Sequence, residues 1–238
     1  MVSLHDMGIF DRSTSISDSG LFRGYTDSHC HILPGVDDGV RTVDESLDIL
    51  DRYAAAGISS VWLTPHIMED LPNTTSYIRQ AFTSLQIAYM GTIALHLASE
   101  NMLDDLFEER LASRDLLPLD GRRLLVETSY FNPPADLDGL LERIRVSGYI
   151  PVLAHPERYM YMDSKDYRKL KTRGVLFQLN IPSICGEYGP EVQSRAMRLL
   201  SDGMYDVSGT DLRRASSFDS LLATKLKNQI IRHISEIR

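Results

Sequence analysis

A chain of 238 residues, with 43% apolar and 24% charged residues, suits one large globular domain of ordinary composition. Its formal charge of −8 excludes the basic footprint of a nucleic-acid binder, although bound cations can reverse the field locally for a phosphorylated ligand. Its two cysteines, Cys30 and Cys185, have neither metal-type nor redox spacing, which fits a reducing cytoplasm, and no apolar run approaches the ~18–20 residues of a membrane span.

The first twenty residues are rich in Ser and Asp and lack the apolar stretch of a secretory signal. A flexible extension is expected over residues 1–24, ahead of one folded domain over residues 25–238. Gly24, Tyr25 and Thr26 then lead a strand into Asp27-Ser28-His29-Cys30-His31. Alternate side chains of a strand share a direction, so His29 and His31 face one point, as a divalent transition metal requires, and Cys30 turns away. Asp37 and Asp38 follow in the next loop.

Helical spacing of Leu47, Leu50, Tyr53 and Ala54 predicts a helix over residues 42–57, and the apolar run 58–63 predicts a buried strand delivering His66 after Thr64-Pro65. A helix over 74–90 leads to a strand over 93–100 ending in Glu100, and a short acidic helix over 102–110 leads to a strand ending in Glu127. A helix over 137–147 stops at Gly148 before a strand that ends in His155-Pro156-Glu157-Arg158. Further on come a helix over 165–173, a strand over 175–180, a helix over 190–201, a strand over 205–210 running into Asp211, and a terminal helix over 218–237.

About seven strand–helix units in alternation predict a parallel sheet. Nearly every strand ends in His, Glu or Asp, and in a closed parallel barrel those ends share one face, where functional sites are built. A multi-metal barrel is therefore expected. His96 inside a strand, His5 in the extension and His233 in the last helix read as incidental.

The ordered set His29, His31, Asp37, His66, Glu100, Glu127, His155 and Asp211 resembles the polymerase-and-histidinol-phosphatase (PHP) family. More narrowly, His-Cys-His-Ile-Leu-Pro-Gly-Val-Asp-Asp-Gly (29–39) and Ala-His-Pro-Glu-Arg-Tyr (154–159) resemble the metal-dependent tyrosine-protein phosphatases of bacterial capsule and exopolysaccharide loci. The resemblance runs from about Tyr25 to about Arg213. It implies a distorted (β/α)7 barrel with two to three divalent metals, manganese foremost, with iron, zinc or magnesium as alternatives. By the same resemblance, His29, His31, Glu100 and Asp211 would hold the first metal. Glu100 would bridge to a second, completed by Glu127 and His155, and Asp37 with His66 would hold a third. The family's final strand ends in Asp-x-His, whereas this chain reads Asp211-Leu212-Arg213, and an arginine has no lone pair for a cation.

Arg158 is the expected phosphate-binding guanidinium, with Arg213 and Arg214 as further candidates. The expected reaction is metal-assisted hydrolysis of a phosphomonoester, with His155 or a water protonating the leaving oxygen. The resemblance implies, as substrate and partner, the phosphotyrosine tail of a bacterial tyrosine kinase that controls polysaccharide synthesis, and a homo-oligomer is compatible with it. A histidinol-phosphatase-like activity and a phosphotyrosine-tail binding protein weakened by Arg213 are the alternatives. A cysteine-nucleophile phosphatase fits poorly, because Val36 and Glu191 stand where its phosphate-cradling arginine would follow Cys30 or Cys185. An amidohydrolase-type deaminase would place a lysine where this chain has Glu100 and Glu127.

Overall fold

The computed structural model describes residues 12–237. The chain begins with β1 (Ser13–Ser15) and the one-turn α1 (Ile16–Ser19), then β2 (Thr26–Cys30) and α2 (Val43–Ala56). Thr42 caps α2 through a reciprocal box with Glu45, which satisfies two of the helix's orphan N–H groups, and Gly57 closes it in the left-handed conformation. β3 (Ser60–Leu63) and β4 (His66–Ile67) are separated by Thr64-Pro65; α3 (Thr75–Ala88), β5 (Ala94–Leu97), β6 (Glu100–Met102) and α4 (Asp105–Ser113) follow. β7 (Arg123–Glu127), α5 (Leu137–Val146), β8 (Ile150–Ala154), a 3-10 turn (Pro156–Arg158) and α6 (Ser164–Thr172) come next. The chain ends in β9 (Leu176–Asn180), α7 (Ile181–Ile184), α8 (Pro190–Ser201), β10 (Val207–Gly209), α9 (Ala215–Ala223), β11 (Lys225–Lys227) and α10 (Asn228–Ser235).

This is an α/β fold built on parallel strands. A six-stranded sheet runs β10-β9-β8-β7-β6-β4 and a three-stranded sheet runs β2-β3-β5, every neighbour pair parallel. The two sheets meet along β2. His31 N–H donates to Leu212 O (2.8 Å) and Asp211 N–H to His29 O (2.7 Å), while Thr64 N–H donates to Cys30 O (2.9 Å). Close backbone approach there needs glycine, since a Cβ on Gly209 would lie 2.6 Å from the His29 Cβ.

The strand expected over 93–100 is two strands. At Ala98-Ser99 the chain leaves its β3 partner, and Glu100 N–H pairs instead with Pro65 O (3.1 Å). That switch moves His66 and Glu100 from the three-stranded sheet into the six-stranded one, side by side.

Strand alternation sorts the core into two clusters. On β7, Leu124 and Val126 join the main core under the helices, whereas Leu125 joins a smaller cluster with Ala98, Leu119, Val152, Ala154 and Val207 on the opposite face. Glu127 has the parity of Leu125, and Gln178 and Asn180 have the parity of Leu176, which packs against the smaller cluster. The polar strand ends thus inherit the inner face.

Two expectations need correction. Residues 12–24 are folded rather than a flexible extension: β1 pairs antiparallel with β11, and Ile16, Leu21 and Phe22 are buried in the main core. The rest of that stretch, residues 1–11, lies outside the described residues. The helix expected over 218–237 is interrupted, because Lys225–Lys227 extends to pair with Ser13–Ser15 and buries Leu226. Among the described residues, no helix is long and apolar enough to cross a membrane.

Candidate active site

Seven of the eight expected donors meet in one buried cluster: His29 and Glu127 near the C-terminal ends of β2 and β7, His31, His155 and Asp211 just beyond β2, β8 and β10, and His66 and Glu100 at the first residues of β4 and β6. β2 supplies His29 and, just after its end, the chain supplies His31, both fully buried, and β6 supplies Glu100 between them and His66. One Glu100 oxygen lies 3.1 Å from His29 Nε2, 3.3 Å from His31 Nε2 and 3.1 Å from His66 Nδ1; the other lies 3.0 Å from His155 Nε2. Glu127 stands 2.9 Å from His66 Nδ1, and Asp211 stands 3.2 Å from His31 Nε2.

His155 and Asp211 follow their strands in the left-handed conformation, with φ of 34° and 51°. For residues with a Cβ this costs about 1–2 kcal/mol each. The conformation is held by hydrogen bonds from His155 N–H to Gln178 Oε1 (3.1 Å) and from Asp211 N–H to His29 O (2.7 Å). The twist matters for His155, which by simple alternation after inward Ala154 would point away from the cluster.

Asp37 joins the cluster through His31 and not through the His66 ring, in a group of His31, Asp37 and Asp38 close enough to hold a cation. Its Oδ2 lies 2.7 Å from His31 Nδ1 and accepts the His66 backbone N–H (3.1 Å), while Oδ1 accepts from Gly39 N–H (3.0 Å). Its neighbour Asp38 instead stands 3.6 Å from His66 Nε2. Asp37 thus orients His31, and Asp38 is the carboxylate facing the His66 ring.

Two supporting residues, Gln178 and Asn180, carried no motif-level signal. Gln178 Oε1 faces His29 Nδ1 at 3.1 Å, and Asn180 Nδ2 donates to Asp211 (3.1 Å). Arg158 donates to the same Asp211 oxygen (3.0 Å) and is sandwiched between Tyr130 and Tyr188, 4.3 Å from each ring centroid. Inward parity along β9 is the one cue that could have found Gln178 and Asn180.

Arg213 spans the other side of the cluster. It pairs with Asp211, with Asp38 (3.1 Å), and lies 3.0 Å from His66 Nε2 and 3.3 Å from His31 Nε2.

Electrostatics follow from this crowding. Burial works against charge on Glu100, yet His29 and His66 outweigh it and hold its carboxyl well below the usual range. Burial likewise opposes ionised Asp211, which Arg213 and His29 stabilise strongly. Burial, aided by Arg158, pushes His155 down, so its imidazole is neutral with a lone pair to offer.

The donor set fits divalent metal. With Nδ1 of His29 turned to Gln178 and Nδ1 of His31 to Asp37, both Nε2 atoms face the cluster; the surrounding carboxylates favour the protonated rings there, and a bound cation would take the place of those protons. Buried His66 Nδ1 and Glu127 Oε1 make no hydrogen bond, with each other or with anything else, although they are 2.9 Å apart. Buried polar atoms are rarely left so, and a cation would satisfy both.

Parallel strands whose inner-face ends converge on imidazoles, carboxylates and a guanidinium define a metal-dependent hydrolase class of site. The chain belongs to the CpsB/CapC family of capsular polysaccharide synthesis, whose model matches residues 25–229. It is 28% identical over 197 residues to the tyrosine-protein phosphatase YwqE of Bacillus subtilis, covering 78% of this chain and 76% of that protein. It is 27% identical over 211 residues to the tyrosine-protein phosphatase CpsB of Streptococcus pneumoniae, covering 80% and 84%. A crystal structure from work on YwqE and CpsB, described as unique metal-dependent tyrosine phosphatases, superposes with a TM-score of 0.76 at 25% identity, covering 89% of this chain and 86% of that one.

Proposed function

We propose that this chain is a metal-dependent protein-tyrosine phosphatase of a capsule or exopolysaccharide system. Its substrate in this reading is the phosphotyrosine tail of a bacterial tyrosine kinase, met in the cytoplasm. The observation that carries the reading is the convergence of His29, His31, His66, Glu100, Glu127, His155 and Asp211 beside Arg158. The hydrogen bonds that run β2 along residues 211–212 support a distorted (β/α)7 barrel as its frame.

In this reading His29, His31, Glu100 and Asp211 would hold one divalent ion, and Glu100, Glu127 and His155 would hold another, with manganese the preferred metal. When bound, such ions polarise the phosphoryl group and lower the pKa of water to near neutrality. Arg158 binds the phosphoryl oxygens through its planar fork. Its two aromatic neighbours fix the plane of that fork, and Asp211 fixes its rotation. Burial pushes the Tyr188 hydroxyl up to about 12, so that ring stays neutral beside the incoming dianion. A tyrosyl oxygen has a pKa of about 10, so it departs with little help from a proton donor.

Phosphate release from a phosphotyrosine peptide, measured with Mn²⁺ and with a chelator-treated control, tests this. Chelator-sensitive turnover is expected. Tight peptide binding with no turnover under any metal would replace catalysis with capture. Preference for a small phosphate ester such as histidinol phosphate would shift the substrate class.

A further inference from the structure

Arg213 occupies an unusual position for an arginine. Its guanidinium lies among groups that are themselves cation donors: Asp38, Asp211, His31 Nε2 and His66 Nε2. Its side chain is three-quarters buried, and it is covalently attached two residues beyond Asp211. Asp211 is therefore bracketed, with Arg158 on one oxygen and Arg213 on the other.

We propose that the Arg213 guanidinium is the resident cation of the Asp38 side of the cluster, so that this chain binds one divalent ion fewer than its donors would otherwise hold. The proposal rests on the reading of the cluster as a metal centre. A guanidinium has five N–H donors and no lone pair, so it cannot join a coordination sphere. It can, however, occupy the Asp38 and Asp211 carboxylates and the two imidazole nitrogens that an ion on that side would use. Both oxygens of Asp38 face its Nε, at 3.1 and 3.2 Å, and its Nη2 faces two imidazole nitrogens. Any divalent ion entering there would sit against a fixed positive charge and would first have to displace these contacts.

The opposite side differs in kind. His66 Nδ1 and Glu127 Oε1 are buried without hydrogen bonds, and among the described residues no arginine pairs with Glu127. The two sides of one His66 ring thus differ: Nε2 faces Arg213, whereas Nδ1 faces the carboxylates of Glu100 and Glu127, at 3.1 and 2.9 Å, without a hydrogen bond. Asp38 is the outermost member of the Arg213 group, with 57% of its side chain exposed. Loss of Arg213 would leave it the hinge on which a further ion could be captured.

The test is the count of Mn²⁺ bound per full-length chain, read by elemental analysis after equilibrium dialysis and by titration calorimetry. Arg213→His removes the guanidinium and offers an imidazole, and is expected to bind one equivalent more than wild type. Adding Asp38→Asn to that variant is expected to abolish the extra equivalent and leave the others. Arg213→Ala provides the same comparison should the histidine variant fail to fold, as judged by circular dichroism. Equal counts in wild type and the Arg213 variants would overturn the proposal, as would a gain that persists without the Asp38 carboxylate. Phosphotyrosine turnover is read separately. A protein without turnover that still gains an ion on loss of Arg213 removes the phosphatase reading and keeps this one.

Discussion

In the proposed reaction Arg158 is the single side chain with most leverage on the chemistry. It is held from three directions, by Tyr130, Tyr188 and Asp211, so it would meet the phosphate already oriented. Arg158→Ala is expected to lower kcat/KM on a phosphotyrosine peptide by ~10²–10³-fold, the usual scale for one lost charge-stabilising donor. Arg158→Lys keeps the charge but loses the fork and the stacking, and should stay well below wild type. The cysteines should be silent. Burial pushes the Cys30 thiol far up and Cys185 up to about 12, so almost no thiolate exists at neutral pH. Iodoacetamide should leave turnover unchanged, and stoichiometric inactivation would point to a nucleophilic thiol after all. At this scale the sequence was readable where period alone fixes direction, as for His29 and His31. It was not readable at Asp37-Asp38, where loop geometry decides which of two adjacent carboxylates faces His66 and which turns back to His31. Gln178 and Asn180 were silent because neutral amides at strand ends are common, and only the fold brings them to His29 and Asp211.

Elements with local start and stop signals were legible. The Thr42–Glu45 box and Gly57 bound α2 almost as periodicity placed it. Elements that exist because of distant partners were not: β11 is a strand because Ser13–Ser15 lies beside it, a pairing no local window contains. Ile16 anchors that arrangement at 1% exposure, and Ile16→Ala should cost about 2–5 kcal/mol in urea denaturation, the range for a large-to-small core change. A cost near zero would mean the N-terminal segment is not docked in solution. The helix α6 carries a pH signature. Backbone N–H groups of Lys165 and Asp166 donate to Asp163 and hold its carboxyl below the usual range. A depressed carboxyl stabilises the folded state above its unfolded pKa of about 3.9, and that stabilisation fades as pH falls through the lower folded value. Asp163→Ala should therefore lower the melting temperature at pH 7, with the gap from wild type closing as pH drops below the carboxylate range. Asp163→Asn should keep part of the cap at every pH.

For the whole molecule, the alternation of strands and helices was enough to predict an α/β protein with its polar groups gathered at one end of a parallel sheet. The division into two sheets was hidden, since it arises where β3 hands over to β4 and β5 to β6 across two-residue breaks. Because the donors come from strands of both sheets, ion binding ties them together and should register as global stability. Mn²⁺ at 100 times its Kd is worth about 2.7 kcal/mol when only the folded state binds it. Melting temperature should rise with Mn²⁺ and fall back with chelator, and a melt indifferent to both would count against a metal centre.

The clasp between β1 and β11 also sets how the molecule yields to force. Ser13 lies opposite Lys227 and Ser15 opposite Lys225, so a pull on Ser13 and Lys227 enters the pair at one end. Its bonds then open one at a time, as in a zipper, instead of bearing load together. Stretched from those two points, the chain would surrender its edges first, at low force, while the parallel strands from His29 to Asp211 still hold their shape.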